Sequence, residues 1–497
     1  MNKKAAVAVC SALLAVGTFS CQTDKLTPVP ITLFSDQVVF NTPARIELQV
    51  NNLYSFVKSG SFLGGRYQIF SDIRGNDFIN RTSNNVTGLG VWNHTLVETA
   101  QNDVVNTWGA AYAAINQINV FLAGLDANAS KFVAPTFAAD FSTKASQYRG
   151  EARLLRALCY HSLLQLYARP YTDGNGSKPG LPLRLMGETT DANNDLARST
   201  VAEVYTQILA DLTFAEQNLP LNYGASATTL NVTRAHRNTA IALKTRVYLT
   251  MGRYADVITE ANKIVPATAP FVAPSGVPHA LQASVASVFA VPQETTESIL
   301  SFPFTAQNAP GTQNQLAFYY LPSSLGGNGE YGLNNAAGGI LSNPGWAAND
   351  ARRTAFVRAV GTEFFLSKYP TGTPYTDKAP VIRYAEVLLN LAEARARTIS
   401  GVDPQALALL NAVRGRSNPA GVYTAASFAS ANAMVDAILL ERRIEFLGEG
   451  IRNMDLMRLN TTIPAKGSVP AIEPSNSLYI WPIPATELQT NRLMTRN

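Results

Sequence analysis

Cysteine is scarce in this chain of 497 residues, which contains only three. Cys10 and Cys21 lie close to the N-terminus, so Cys159 is the single thiol of the remaining sequence. One thiol cannot form an intramolecular disulfide, and it cannot build a zinc site alone. Cys159 falls on the apolar side of a predicted helix, which favours the role of a small buried hydrophobic residue.

Histidine and charge are also in short supply. The four histidines (His94, His161, His236 and His279) are scattered without ligand spacing, so the sequence indicates no metal site. There is no phosphate loop or nucleophile elbow, and no cofactor is predicted. Charged residues make up 15% of the chain and hydrophobic ones 46%, with a net charge of +5. This balance excludes a disordered chain and, without a long basic run, argues against a nucleic-acid partner.

The N-terminal hydrophobic run is too short to cross a membrane. The apolar stretch Ala5–Gly17 follows Lys3 and Lys4 and has about 13 residues, whereas a membrane span needs roughly 20. A basic start followed by a short apolar run that ends in small residues is typical of a secretory leader. The sequence therefore predicts a signal peptide over residues 1–20.

The end of this leader, Thr18-Phe19-Ser20-Cys21, resembles a bacterial lipobox because a small residue stands directly before a cysteine. Thr18 and Phe19 depart from the usual pattern. We expect Cys21 to carry a lipid and residues 21–36 to be a lipid-anchored tether. The alternative is ordinary signal-peptidase cleavage next to an incidental cysteine.

Helical periodicity recurs along most of the chain. Residues 234–265 and 382–413 each have the pattern of a helix–turn–helix hairpin, and Tyr248, Gly252, Tyr254 and Ala261 have the spacing of a tetratricopeptide-type unit. The fold class is therefore mainly α, with tetratricopeptide-like helical hairpins. Further helices are predicted at residues 46–57, 106–125, 141–167 and 200–219.

Three regions lack this periodicity. Residues 60–94 are predicted as loop, and the β-branched and aromatic residues of 285–304 predict a strand or two. Residues 308–350 are rich in glycine, asparagine and aromatic side chains. A loop of that length is usually functional. We therefore expect ligand-binding residues there.

The most informative stretch is Ile438–Leu459, where apolar residues at helical spacing predict one amphipathic helix with charges on its other side. Glu441 and Glu445 lie one turn apart on that helix. Such acids could be acid–base catalysts in a cleft, or members of a structural ion-pair network. The nearby arginines favour the network.

The same stretch resembles the C-terminal signature of the SusD/RagB family of outer-membrane nutrient-binding lipoproteins, through Glu441-Arg442-Arg443-x-Glu445 and Glu449-Gly450-x-Arg452-x-x-Asp455-Leu456-x-Arg458. Other segments match the family in the expected order. They are Gly150–Tyr160, Arg198–Tyr205, Asp211-Leu212, Asp350–Arg353, Lys368-Tyr369, Ile382–Leu389 and Trp481–Pro484, followed by Asn491.

The resemblance implies a SusD-like fold, in which four tetratricopeptide-like helix pairs pack against a loop-rich ligand-binding half with a few short strands. It divides the chain into an N-terminal SusD-like helical region (37–265), a loop-rich ligand-binding region (266–380) and a C-terminal RagB/SusD region (381–497). The protein would be lipid-anchored in the outer membrane and would face the cell exterior.

The function implied by the resemblance is binding without catalysis. The protein would capture an oligosaccharide and deliver it to a partner, a SusC-like TonB-dependent transporter. One alternative is a peptide-binding, RagB-like member of the same family. Another is a glycoside hydrolase, which would need two carboxylates about 5–9.5 Å apart. A third is a scaffold of helical hairpins that recognises a protein.

Sugar capture suggests which side chains to single out. Aromatic rings can stack on the C–H face of a pyranose, and amides can pair with its hydroxyl groups. These residues are chosen on composition, and for each ring a packing role remains the alternative. The stacking candidates are Trp92, Tyr319, Tyr320, Tyr331 and Trp346, and the hydroxyl partners are Asn93, Asn328 and Asn334.

Overall fold

Helices account for most of the regular structure in the computed structural model, which describes residues 36–497. The predicted signal peptide, the lipidation at Cys21 and nearly all of the tether lie outside these residues. The first nine helices are α1 (Asp36–Val39), α2 (Pro43–Val57), α3 (Arg66–Ile73), α4 (Leu89–Asn93), α5 (Asn106–Ala127), α6 (Phe141–Tyr167), α7 (Val201–Asn218), α8 (Leu230–Thr233) and α9 (Arg237–Thr250). The others are α10 (Tyr254–Ala261), α11 (Val285–Phe289), α12 (Leu316–Tyr320), α13 (Ala351–Phe356), α14 (Tyr384–Thr398), α15 (Pro404–Gly415), α16 (Ala431–Glu445), α17 (Arg452–Arg458) and α18 (Ala485–Thr490).

The strands of the described residues form three antiparallel two-stranded ribbons. The strands are β1 (Phe78–Asn80), β2 (Ser298–Phe302), β3 (Tyr331–Leu333), β4 (Val357–Val360), β5 (Glu363–Leu366) and β6 (Ala379–Arg383). In the first ribbon, Phe78 of β1 lies opposite Leu333 of β3, and in the second Phe302 of β2 lies opposite Ala379 of β6. The third joins β4 to β5, with Val357 opposite Leu366.

The predicted helical hairpins are confirmed. Helix α9 packs against α10 and α14 packs against α15, while α5, α6, α7 and α9 form a continuous row in which each helix contacts the next. The predicted start signals form the expected bonds. Thr200 and Glu203 make a reciprocal capping box at α7, and the Asp403 carboxylate accepts a 2.7 Å bond from the Ala406 amide at the start of α15.

Two local predictions were wrong in part. Residues 60–94, predicted as loop, contain helix α3, strand β1 and helix α4. Helix α3 has almost no exposed face, since seven of its eight residues are buried. Four of these buried residues are polar, so the buried positions do not form the apolar stripe that is used to find helices. Residues 285–304 contain the helix α11 as well as the predicted strand β2.

The stretch Ile438–Leu459 is not one helix. It contains the end of α16, a turn, and α17. Gly448 and Gly450 in the turn have φ angles of +85° and +78°, which glycine adopts at little cost. Glu441, Arg442 and Glu445 are all fully buried, so this part of the charged side faces the protein interior.

One hydrophobic cluster extends from Val39 to Met494 and takes residues from both the hairpins and the loop-rich region. Cys159 is fully buried within it, as predicted. No helix between Asp36 and Asn497 combines the length and the apolar character that a membrane crossing requires.

Candidate functional site

Glu441, Glu445 and Glu449 of the stretch Ile438–Leu459 belong to a buried network of five cations and five anions, which we call the central ion-pair network. Glu445 contacts Arg352 at 3.0 Å, Arg383 at 3.1 Å and Arg416 at 2.5 Å. The cations are Arg352, Lys368, Arg383, Arg414 and Arg416, and the anions are Glu297, Asp350, Glu441, Glu445 and Glu449.

The pKa values of Glu445 and Glu449 are lowered by their cationic neighbours, which favours the ionised form of these two acids. Burial alone would raise the pKa of Glu445, but Arg416, Arg383 and Arg352 together hold it well below its usual range. Nearby Asp455 has its pKa lowered to about 2, because Arg442 and Arg458 outweigh the opposing effect of burial. Glu441 and Glu445 also have no exposed surface. The geometry supports ion pairing for these acids over acid–base chemistry.

The five aromatic rings chosen as stacking candidates are all buried. Trp92 is 7% exposed and Trp346 3%, while Tyr319, Tyr320 and Tyr331 have no exposed surface. Stacking on a sugar requires an open ring face. In this conformation the rings therefore pack in the core, which agrees with the packing alternative.

The first ribbon brings four of these rings into one region. The Trp92 indole donates a 3.1 Å bond to the carbonyl of Phe78 in β1, and Tyr320 packs on the Phe78 ring at 5.0 Å. Tyr319 and Tyr331 stack on each other with ring centres 6.2 Å apart. Their hydroxyl groups donate to backbone carbonyls at 2.9 and 3.0 Å, so the polar end of each ring is satisfied inside the protein.

The remaining candidates are distributed differently. Trp346 packs against Arg353, whose guanidinium carbon is 4.5 Å from the ring centre. The Asn334 amide is buried and donates a 2.7 Å bond to the carbonyl of Asn76. Asn328 is exposed and donates to Glu330, and Asn93 is half-buried. Asn328 is thus the one exposed candidate among the eight.

An open groove of about 580 Å³ lies elsewhere, between the end of α2, the N-terminal part of α5 and the segment after β2. We call it the Phe56 groove. Ser55 and Phe56 lie three and four residues after Asn52, and Ser59 lies four and three residues after them, so the four residues occupy one face of the α2 region. The other lining residues are Lys58, Gly60, Ala110, Ala113, Phe304, Asn308, Ala309, Pro310 and Gly311.

The wall of this groove is fixed by close backbone contacts. A Cβ atom on Gly60 would lie 1.8 Å from the carbonyl oxygen of Pro310, so only glycine allows this approach. The Asn314 amide donates a 2.9 Å bond to the same carbonyl. Lys58 donates a 2.7 Å bond to the carbonyl of Pro303, and its amine lies 4.9 Å from the centre of the Phe304 ring. Burial lowers the pKa of Lys58.

The groove is amphipathic, and Lys58 is the one charged residue in its described lining. Half-buried Phe56 offers an apolar surface, and exposed Asn52, Ser55 and Asn308 offer amide and hydroxyl groups. No carboxylate is among its lining residues within the described part of the chain. Its volume is within the range of small-molecule sites.

The sequence prediction missed these residues. The polar face of a helix rarely stands out, because most exposed helix faces are polar in any protein. The one available signal was the aromatic Phe56 among Asn52, Ser55 and Ser59 on that face. Within residues 36–497, no group of three or more His, Cys, Asp or Glu side chains is placed to hold a metal ion.

Comparison with known proteins agrees with this architecture. Residues 33–249 match a SusD-like family described as starch-binding and associating with the outer membrane, and residues 334–497 match the SusD family. A SusD superfamily protein from Bacteroides fragilis is 32% identical, with a TM-score of 0.80 over 92% of this chain and all of that one. The chain belongs to the SusD family.

Two more distant relatives share the fold. The SusD-like protein P2 of Formosa agariphila is 24% identical, and the alignment covers 94% of this chain and 95% of that protein. The surface glycan-binding protein A from Bacteroides uniformis is 20% identical, with a TM-score of 0.71 over 92% of this chain and 99% of that one.

Proposed function

We propose that this protein is a lipoprotein of the outer membrane, anchored at Cys21 and facing the cell exterior, which binds an oligosaccharide and delivers it to a SusC-like TonB-dependent transporter. Membership of a glycan-binding family supports the ligand class. The observation that carries the proposal is the Phe56 groove, which has the size and the mixture of apolar and neutral polar groups that a sugar requires.

The ligand is bound and not cleaved. Glycoside hydrolysis normally needs two carboxylates on either side of the scissile bond. The described lining of the Phe56 groove has none, and Glu441 and Glu445 are buried in the central ion-pair network. Binding in the groove therefore has stacking and hydrogen-bonding partners but no acid–base pair.

The test is a calorimetric titration of an oligosaccharide panel against the protein and two matched variants. Phe56→Ala removes the half-buried ring of the groove. We expect about tenfold weaker binding, because that is roughly what one aromatic contact contributes to affinity. Phe318→Ala removes a ring that is also half-buried but lies outside the groove, beside Tyr319. Binding should be unchanged in this control.

If Phe318→Ala weakens binding and Phe56→Ala does not, the ligand binds at the face around residues 318–331. Equal affinities in all three proteins would contradict the groove as the site. Chromatography of the sugars after incubation checks the second part of the proposal, since the chain lengths should not change. Pull-down of a β-barrel protein from outer membranes of the source cells tests the delivery partner.

A further inference from the structure

A second cleft, of about 500 Å³, lies between the end of α6, the turn after it, and the segment 475–497. We call it the Lys178 cleft. Its charged lining residues are Arg169, Asp173, Lys178, Arg198 and Arg496, and Ser475, Asn476 and Ser477 form part of its wall. The cleft is therefore lined by four cationic side chains and one acidic side chain, and Asn497, the last residue of the sequence, lies beside them.

Two of these cations are already paired. Arg169 donates a 2.7 Å bond to Asp173, and Arg496 donates a 2.6 Å bond to Glu98. Lys178 and Arg198 have no carboxylate of the described residues within ion-pair distance. Lys178 is also exposed. The cleft thus contains positive charge that the described part of the chain does not neutralise.

Arg198 is held in place by neutral groups. It donates to the carbonyls of Gly180 at 2.8 Å and Pro179 at 3.1 Å, and makes longer bonds of 3.4 Å to Thr495 and Arg496. Burial lowers its pKa to about 10. A partly buried guanidinium that meets only carbonyl oxygens gains from an anion nearby.

The wall of the cleft adds uncharged donors. Ser475, Asn476 and Ser477 are exposed. The Asn476 side-chain oxygen accepts a 2.9 Å bond from the Leu478 amide, which leaves its NH₂ group directed to other partners. A cluster of fixed and mobile cations with amide and hydroxyl donors is the chemistry that recognises an oxyanion.

We propose that the Lys178 cleft binds an oxyanion, that is, a carboxylate, sulfate or phosphate group carried by a sugar. Lys178 forms the direct ion pair, Arg198 supplies a fixed positive potential, and Asn476 and the two serines donate hydrogen bonds. This site is separate from the Phe56 groove, whose single cation, Lys58, is already bonded to a backbone carbonyl. The protein would then hold charged and neutral sugars at different places.

The experiment uses four ligands that share one ring: glucuronate, glucose 6-sulfate, glucose 6-phosphate and uncharged glucose. Each is titrated into the whole mature protein at low ionic strength, with binding followed by ligand-observed NMR. At least one anionic sugar should bind more tightly than glucose, and added salt should weaken it. The identity of that sugar distinguishes the three sources of the oxyanion.

Three variants test whether the anion binds in the cleft. Lys178→Gln should weaken binding about fivefold, which is the strength of one charge pair at close range in water. Asp173→Asn removes the one acid of the cleft and frees Arg169, so it should tighten binding by a similar factor. Lys131→Gln, a change at an exposed lysine outside the cleft, should have no effect.

The proposal is overturned if none of the anionic sugars exceeds glucose, or if Lys178→Gln and Lys131→Gln behave alike. An Asp173→Asn protein that binds the anionic sugar less tightly would also overturn it. The proposal predicts tighter binding in this variant, whereas a purely structural role for the cleft predicts no gain in affinity. Phe56→Ala should leave binding of the anionic sugar unchanged, so this experiment succeeds or fails independently of the proposed groove.

Discussion

The central ion-pair network makes the Glu445→Gln variant a sharp test of what stabilises this fold. Glutamine keeps the size and shape of glutamate but removes its charge. The five cations and five anions of the network balance, so the change leaves one buried positive charge without compensation. Glu445 is fully buried, and solvent cannot screen that charge.

The expected loss follows from the contacts that remain. Removing one partner of a buried ion pair typically costs about 3–5 kcal/mol. Each of the three arginines that contact Glu445 keeps another carboxylate: Asp350 for Arg352, Glu449 for Arg383 and Glu297 for Arg416. We therefore expect a loss near the lower end, about 3 kcal/mol in the free energy of unfolding.

Urea unfolding followed by tryptophan fluorescence measures this loss, with Asp256→Asn as the control. Asp256 also pairs with an arginine, at 2.7 Å, but both side chains are about two-fifths exposed (44% for Arg253 and 39% for Asp256). Such a surface pair contributes only about 0–1 kcal/mol. The reasoning is refuted if the two variants lose the same free energy.

A second control tests the charge balance itself. The double variant Glu445→Gln, Arg416→Gln removes one anion and one cation, so the network is neutral again. We expect it to be less destabilised than the sum of the two single variants by about 0.5–3 kcal/mol, the usual range for coupled neighbours. Simple additivity would show that neutrality is not what the network supplies.

Two further predictions concern the buried residues Asp103 and Trp346. Burial raises the pKa of Asp103 to about 7, with partial opposition from Arg66, so the folded state keeps this proton over a range where the unfolded state has released it. Stability is therefore lost as pH rises from about 4 to about 7. Across that window the free energy of unfolding of Asp103→Asn should rise relative to the parent, by about 4 kcal/mol at most, as measured by urea titrations at several pH values. A difference that does not depend on pH would contradict this. Trp346→Ala should cost about 3–5 kcal/mol of stability because its ring is buried. Its oligosaccharide affinity, measured by calorimetry, should be unchanged. A weakened affinity in a protein that remains folded would show that Trp346 belongs to the ligand site.

The local structure of the hairpins could be predicted because its causes are local. Asp403 and Thr200 stand directly before the helices that they cap, and hydrophobic residues at helical spacing follow them. These signals act between residues three or four apart, so periodicity is sufficient to find them. Helix α3 was missed because it is buried on nearly all sides and its polar residues are buried with its apolar ones, so polarity along the sequence does not report burial.

The predicted aromatic site residues are buried, whereas the Phe56 groove is open. A tyrosine in an aperiodic loop can be exposed or buried, and its neighbours in sequence do not decide which. Tyr319 and Tyr331 are buried because they stack on each other, and because Gln313 and Thr87 satisfy their hydroxyl groups. The last of these contacts comes from a segment more than two hundred residues away in the chain.

The sequence by itself determined the family, the order of the helical hairpins and the arginine-rich surroundings of Glu441 and Glu445. The tertiary structure decided that both acids are buried and neutralised, since their partners Arg352, Arg383 and Arg416 come from separate elements. It also decided that the Phe56 groove exists, because α2, α5 and the segment after β2 meet only in the folded chain. Spacing along a chain reports the local geometry of a helix, whereas burial and charge pairing depend on which distant surfaces come into contact.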